Sequence, residues 1–485
     1  MALTDLLVHP PPFIGPYPYS PPASWRPGQA GFLARGETYV DPVFGQTVRR
    51  LTDVYPGVGD SEIYGQNAQW NANGTRRIHN PNASGALNVV DATTGAVVRA
   101  GIPSNINLSR GFDPVWPNIY YYESGNSLHK YDHVAGTDVV VKNFGSALGD
   151  TGGSVDFVDN SGRYFVVVLG GVGRFWDGSD ANGHLPGDPA YVPQAAGTSG
   201  LYTGNITAGF GGGWLGMAPD GSGVLRVVGG TTTCTWFSVN HGTRTVNAGF
   251  GFTGTGAGDH GDMVTASDGE TYQCNFSDTA PPMRMAAQNV RTGAIRQMQG
   301  YLPSWCDGFH ISGVSRGSLR DWFVVGVEAR DTGNIGGDDC SFDSPTATQA
   351  QIIAGWHPFH NEVFMCNALT GAARRLCHHR GRESNVAYTR QTRPSVNWDG
   401  TLVAFASDHG TVTGGTNAEY SDLYTVTATD QGGIPPAPPT NLRVSSTGRH
   451  ISWGVVLAGA LVANKRVSRR EFLGSAILGL SRTRL

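Results

Sequence analysis

The chain lacks the features that mark several large protein classes. No basic block occurs before Lys465 and the net charge is −4, which argues against a nucleic-acid partner. Long runs of helical periodicity are missing, so a bundle or solenoid of helices is excluded. The apolar stretch from Gly454 to Ala463 is too short to span a bilayer, and stable membrane insertion is not expected. Met1 to Trp25 has no basic segment followed by an apolar one, so it does not read as a signal peptide. The six cysteines (Cys234, Cys274, Cys306, Cys340, Cys366 and Cys377) form no Cys-x-x-Cys pair, which removes a zinc ribbon. Their even number suits disulfides in a secreted protein and suits buried thiols equally well.

What the chain does have is turns. Its 485 residues include 69 Gly and 28 Pro, with 11 Trp, 17 Tyr and 20 Phe to fill layers between sheets. One phrase recurs: an apolar run, a polar turn ending in Gly, then another apolar run. Copies are Trp70-Asn-Ala-Asn-Gly74-Thr-Arg-Arg-Ile78, Phe157-Val-Asp-Asn-Ser-Gly162-Arg-Tyr-Phe165, Met217-Ala-Pro-Asp-Gly221, Thr265-Ala-Ser-Asp-Gly269 and Val396-Asn-Trp-Asp-Gly400-Thr-Leu-Val403. Asn-Gly and Asp-Gly between β-rich runs are strong hairpin signals, because the turn needs positive φ. Weaker copies turn at Asn118 and Gly317. The steps from Gly74 through Asn118, Gly162, Gly221, Gly269 and Gly317 to Gly400 are 44, 44, 59, 48, 48 and 83 residues.

A four-stranded propeller blade occupies about 40–50 residues, so the two long steps predict insertions, roughly Gly170 to Gly213 and Arg330 to His360. A second hairpin with a Thr-Gly or Ala-Gly turn follows four copies of the first, at Gly95, Gly136, Gly293 and Gly371. Two hairpins per unit make one blade, and seven units are counted. The expected fold is all-β: a seven-bladed β-propeller of four-stranded antiparallel blades. The last unit supplies three strands, and Thr47-Val-Arg-Arg-Leu-Thr52 is expected to complete it, closing the ring and removing an open sheet edge.

The expected organisation is a Pro-rich extension over 1–36, the propeller over 37–430, a Pro-rich linker with a truncated module over 431–453, and an apolar and basic tail over 454–485 that reads as no native domain. Thr440-Asn-Leu-Arg-Val444 and Ile451-Ser-Trp453, after the linker, resemble the first two strands of a fibronectin type III domain. That resemblance implies a secreted or periplasmic protein. Val467-Ser-Arg-Arg-Glu-Phe-Leu473 resembles a twin-arginine export signal, which cannot act at this position.

Ligands of propellers bind at the central funnel. The residue seven before each turn falls near the funnel mouth, which selects Asn67, Gly111, Val155, Trp214, Asp262, His310 and Arg393. The polar ones belong to blades 1, 5, 6 and 7, neighbours in a closed ring. His260, Asp307, Arg390 and Gln391 cluster around them, with Tyr388 just upstream. His260, His310, Tyr388 and Arg393 are the candidate catalytic set for β-elimination on a uronic acid. Arg neutralises the carboxylate, His or Tyr takes the α-proton, and an acid assists the leaving oxygen. Asn67, Trp214, Asp262, Asp307, Arg390 and Gln391 are the candidate substrate-binding set. His and Asp at this mouth also suit a divalent metal, Mn²⁺, Ca²⁺ or Zn²⁺, and His357-Pro-Phe-His360 has metal-like spacing. Asp and His at blade mouths equally serve to bond neighbouring loops, so a non-catalytic propeller for glycan or protein binding stands beside the enzyme. No Gly-x-Ser-x-Gly elbow or hydrolase domain follows the repeats. A monomer is expected.

The repeats resemble those of TolB-like and WD-type propellers over about Thr47 to Thr429, which speaks to fold and hardly to function. Arg393-Pro-Ser-Val-Asn-Trp-Asp-Gly-Thr-Leu-Val-Ala-Phe-Ala-Ser-Asp408 resembles the last blade of oligogalacturonate lyases. That resemblance implies a polysaccharide or oligosaccharide substrate and a divalent metal held by His and Gln. In that family a Gln-x-x-His-x-His-Pro segment leads into this strand. The matching positions here carry Tyr388, Gln391 and Arg393 before Pro394, without the histidines, so Arg393 with a His from another blade is the implied pair.

Overall fold

The structure is a computed structural model. It describes residues 4, 7, 9, 30–54, 67–81, 86–103, 110–149, 151, 156–207, 209, 211, 213–255, 261–277, 283–302, 309–327, 359, 361–380, 392–407, 409 and 421–429. Among them there is no helix, and the strands form seven antiparallel sheets arranged as a propeller ring.

Blade 1 holds Arg76–His79, Leu87–Asp91 and Val97–Ile102, with a Trp70↔Arg77 bridge on its inner side. Blade 2 holds Arg110–Phe112, Ile119–Ser124, Ser127–Asp132 and Thr137–Asn143. Blade 3 is built on Tyr164–Leu169 and Val172–Asp177, with an inner Val158↔Phe165 bridge. Blade 4 begins at Trp214–Met217, blade 5 at Asp262–Thr265 and blade 6 at Phe309–Gly313. Blade 7 runs outward through Ser395–Val396, Leu402–Ser407 and Asp422–Thr427. Thr47–Arg50 pairs with Asp422–Thr427 in register Val48↔Val426, and Thr38–Val40 lies outside it.

The turns explain the repeat. Gly74, Gly162, Gly221, Gly269, Gly317 and Gly400 all have φ between +68° and +83°, a region costly for residues with a Cβ. Three residues before the Gly, an Asn or Asp side chain accepts the amide that restarts the strand. Asn71 takes Arg76 N at 2.9 Å, Asp159 takes Tyr164 N at 2.8 Å and Asn397 takes Leu402 N at 3.0 Å. Apolar layers fill the spaces between neighbouring blades: Phe112 and Tyr120 between blades 1 and 2, Met285 and Phe364 between 5 and 6, Trp70 and Trp398 between 7 and 1.

The first expected insertion is present as a long irregular stretch between Asp177 and Ile206, clamped to blade 2 by Lys130 Nζ on the carbonyls of Pro186 and Asp188. The second lies outside the described residues, as do residues 430–485 with the fibronectin-like and tail segments. Cys234, Cys274, Cys366 and Cys377 are buried; Cys306 and Cys340 are outside the described set. Of the N-terminal extension, Leu7 and His9 are placed by blade 6. Arg375 Nη1 donates to the Leu7 carbonyl at 2.5 Å, and His378 Nε2 lies 2.6 Å from the His9 carbonyl.

Candidate functional site

The inner strands of blades 1, 5, 6 and 7 and the segment before blade 3 line a small polar pocket on the ring axis, open to solvent. Asn67, Gln69 and Trp70 come from blade 1, Asp262 from blade 5, Ser312, Gly313 and Ser315 from blade 6, and Trp398 from blade 7. Asp156 completes it from the segment leading into blade 3, where its carbonyl accepts Met217 N at 2.8 Å.

Two carboxyls dominate the electrostatics. Asp262 is buried, and its oxygens accept Met263 N at 2.8 Å and Gly313 N at 2.6 Å. Those bonds favour the anion, yet burial outweighs them and pushes the group up to about 7. Asp156 is partly accessible from the pocket, but protein packs around its carboxyl and strips most of its hydration. Burial and then the charge of Asp262 raise it well above the carboxylate range, against a hydrogen bond from the Ser315 side chain. Burial thus makes both groups resist ionisation, and the charge of Asp262 opposes that of Asp156 further.

The pocket has a floor. Blade 6 lies across the ring from blades 2 and 3, yet its Val314–Gly317 turn reaches both. Arg316 Nη1 donates to the Pro114 carbonyl at 2.6 Å and Nη2 to the Ala72 carbonyl at 2.5 Å. Asn160 Nδ2 donates to the Ser315 carbonyl, and Arg316 N to the Trp398 carbonyl at 2.9 Å. The Arg316 guanidinium also lies 5.7 Å from the Trp398 ring. One turn thus ties blades 1, 2, 3 and 7 to blade 6 across the axis. Gly313-Val-Ser-Arg-Gly317 spells Gly-x-Ser-x-Gly, but it sits in a β-turn with no helix behind it. The Ser315 hydroxyl bonds Asp156 rather than a His, so the nucleophile-elbow context is missing.

Of the residues expected at the mouth, Asn67 and Asp262 line the pocket. Trp214 is fully buried between blades 4 and 5, against Cys234, Trp236 and Met263. His310 and Arg393 are buried on adjacent inner strands, three residues upstream of Gly313 and Val396. Gly326 pairs with His310, and a Cβ there would come within 3.0 Å of Thr392 and Pro394, which places the two strands side by side. His260, Asp307, His357, His360, Tyr388, Arg390 and Gln391 lie outside the described residues. Asp156 escaped the register count by one residue: seven before Gly162 is Val155. An acid next to a selected position was the available signal.

Among the described residues no group of three or more His, Cys, Asp or Glu gathers to hold a metal.

The carboxyl pair predicts a pH dependence. In the unfolded chain both groups ionise near 3.8, while in the fold they resist ionisation. Their contribution to stability is complete below about pH 4 and is lost as pH rises, through about 7 for Asp262. Asp113, pushed up to about 6 by burial, adds in the same direction. His379, lowered to about 4 by burial, acts oppositely as pH falls below 6.5. Urea midpoints of wild type and Asp262→Asn across this range isolate the pair. The wild type should lose stability relative to the variant as pH rises, and parallel profiles would refute the assignment.

No known protein family and no curated protein matches the sequence. Among solved structures the chain is similar to an oligogalacturonate lyase in complex with manganese, with a TM-score of 0.49 and 14% identity over 82% of this chain and 99% of that one. It is also similar to the oligogalacturonate lyase of Vibrio parahaemolyticus (TM-score 0.45, 12% identity, 81% and 97% covered) and to TolB from Acinetobacter baumannii (0.29, 12%, 67% and 64%). At these identities the likeness is one of strand arrangement and assigns no side chain. No helix among the described residues is long and apolar enough to cross a membrane.

Proposed function

We propose that the protein binds a polysaccharide or oligosaccharide at the axial pocket. The observation that carries this reading is the facing pair Asp156 and Asp262. Carboxyls accept from hydroxyl groups and, when protonated, donate to them, and the amides of Asn67 and Gln69 and the hydroxyl of Ser312 extend that pattern around the wall. A secreted or periplasmic protein would suit such a ligand.

A second reading, lyase-like β-elimination on uronic-acid glycans, draws on the adjacent placement of His310 and Arg393. Arg393 would neutralise the uronate carboxylate and acidify the neighbouring C–H. A His would take that proton as the C–O bond to the leaving sugar breaks and the new C=C forms. A protonated carboxyl would deliver a proton to the departing oxygen.

Titration calorimetry against neutral and uronic-acid oligosaccharides tests the first reading. Asp156→Asn and Asp262→Asn should each weaken binding by about tenfold, the cost of roughly one misplaced hydrogen-bond donor. A panel with no binder sinks it. Ultraviolet absorbance of unsaturated uronate products tests the second. Product formation should fall by about 10²–10³-fold in Arg393→Ala and His310→Ala. Binding without product leaves a non-catalytic glycan scaffold.

A further inference from the structure

The outer hairpins of five blades share one turn. An Asn or Asp opens it, and the fourth residue after that has positive φ: Gly95, Gly136, Gly293 and Gly371 at 68° to 75°, and Arg244 at 54° in blade 4. That backbone conformation disfavours any residue with a Cβ, yet blade 4 carries an arginine in it. A second arginine breaks its own pattern. Arg163 follows the turn Gly162, where the other copies of that turn continue with Thr75, Ser222, Glu270, Ser318 and Thr401. The two side chains meet on one carboxylate. Arg163 Nε and Nη2 donate to Asp177 Oδ1 and Oδ2 at 3.0 Å and 2.9 Å, and Arg244 Nη1 donates to Oδ2 at 3.1 Å. We propose that Arg163 and Arg244 form an anion-binding site between blades 3 and 4, on the face that carries the turns of Gly162 and Gly221, and that it takes the carboxylates of an acidic glycan.

Two guanidiniums on one carboxylate leave a positive charge at the pair uncompensated. The other acids of the two turns face their own backbone: Asp159 accepts the Arg163 and Tyr164 amides, and Asp220 accepts the Ser222 amide. Both arginine side chains stay near half exposed, at 43% and 47%, while Asp177 beneath them is 2% exposed. Among the described residues Arg163 Nη1 and Arg244 Nε have no partner, so each guanidinium keeps a donor for a ligand. The pair is also held in place. Arg163 lies 5.1 Å from the Tyr164 ring and Arg244 lies 4.9 Å from the Tyr202 ring, and Arg244 Nη2 donates to the Gly200 carbonyl at 3.0 Å. Planar cations fixed before the ligand arrives suit a carboxylate and save the cost of ordering them. The rings alongside favour a sugar as the carrier of that carboxylate. His241 is exposed, stacks on Tyr164 at 4.3 Å and bonds Tyr202 Oη through Nδ1 at 3.1 Å, which sets a flat surface with polar edges beside the cations. The choice of a glycan rests on the reading of the axial pocket; the anion site itself does not.

Titration calorimetry on the full chain in an Asp262→Asn background, where the axial pocket is weakened, tests the site. An oligogalacturonate is compared with a neutral galactose oligomer of the same length. The acidic oligomer should bind at least about tenfold more tightly than the neutral one, and its binding should weaken as NaCl rises from about 0.05 M to about 0.5 M. Arg244→Gly restores the residue that four other blades carry at this turn, and Arg163→Gln keeps a polar side chain without the charge. Each should weaken the acidic oligomer by about tenfold or more and so remove its advantage over the neutral one. Unchanged binding of the acidic oligomer in either arginine variant that keeps a folded-state urea transition overturns the proposal. So does an equal loss of the neutral oligomer, since charge would then not be what the arginines read. An Asp262→Asn protein that no longer binds the acidic oligomer overturns this site and leaves the axial one standing.

Discussion

Asp422→Ala lowers the unfolding free energy by about 3–5 kcal/mol, because it removes one partner of a buried ion pair. The Asp422 carboxylate has no solvent exposure. It accepts Arg50 Nε at 2.7 Å, lies 2.5 Å from Arg50 Nη2, and also takes Thr52 Oγ1 at 3.1 Å and Val54 N at 3.0 Å. Thr52 Oγ1 in turn receives Leu423 N at 3.0 Å. The truncation therefore strips the facing carboxylate from a guanidinium that is 7% exposed, and leaves the Val54 amide short of an acceptor. Asp422→Asn keeps an oxygen for these donors and should cost less. Urea denaturation gives the ordering, and exchange at Thr47–Arg50 should rise before that of any other blade. A loss below about 1 kcal/mol, the range of surface pairs, would contradict this reading of the seam.

Glu362→Ala should be comparably damaging, again by about 3–5 kcal/mol. Arg375 and Glu362 face each other across two strands of blade 6, with both side chains fully buried. Arg375 Nε donates to Glu362 Oε2 at 2.7 Å, and its Nη2 pairs with Oε1. Phe44 and Phe359 flank the guanidinium at 5.1 Å and 5.0 Å, so water cannot replace the missing carboxylate easily. The informative control removes both charges. A Glu362→Met, Arg375→Leu double variant should recover most of the loss, since a paired buried charge is often no better than an apolar pair of like volume. It gives up the Arg375 bond to the Leu7 carbonyl, so protease access to the N-terminal extension should rise while the midpoint recovers. A double variant as unstable as Glu362→Ala would show that packing, not charge, dominates the site.

The blade count and its turns are legible in the sequence for a local reason. Positive φ at Gly74, Gly162 or Gly400 is demanded by the hairpin itself, whatever packs against it. The register from turn to inner strand is local too, and it brought Asn67 and Asp262 to the pocket. It failed by one residue at Asp156, because the strand into blade 3 meets its neighbour only at isolated contacts. Trp214 shares the register of Asp262 but is buried between blades 4 and 5. A register gives position along a strand and says nothing of which face a side chain takes. The Ser315–Arg316 crossing was not legible at all. Its partners at Ala72, Pro114 and Asn160 are separated from it by 155 to 244 residues, and all three contacts are to backbone carbonyls, which carry no residue signature.

The seam in blade 7 sets a clock on synthesis. Arg50 and Asp422 are 372 residues apart, so a ribosome adding about 5–20 residues per second needs roughly 20–75 s between them. For that interval Thr47–Arg50 has left the ribosome with only Thr38–Val40 to pair with, and the blades already made form an open arc with a bare sheet edge at its end. The hazard is kinetic and leaves no trace in the finished ring. A circular permutant that makes Asp422–Thr427 directly before Thr47 would remove the delay, and should raise soluble yield without altering the equilibrium stability of the propeller.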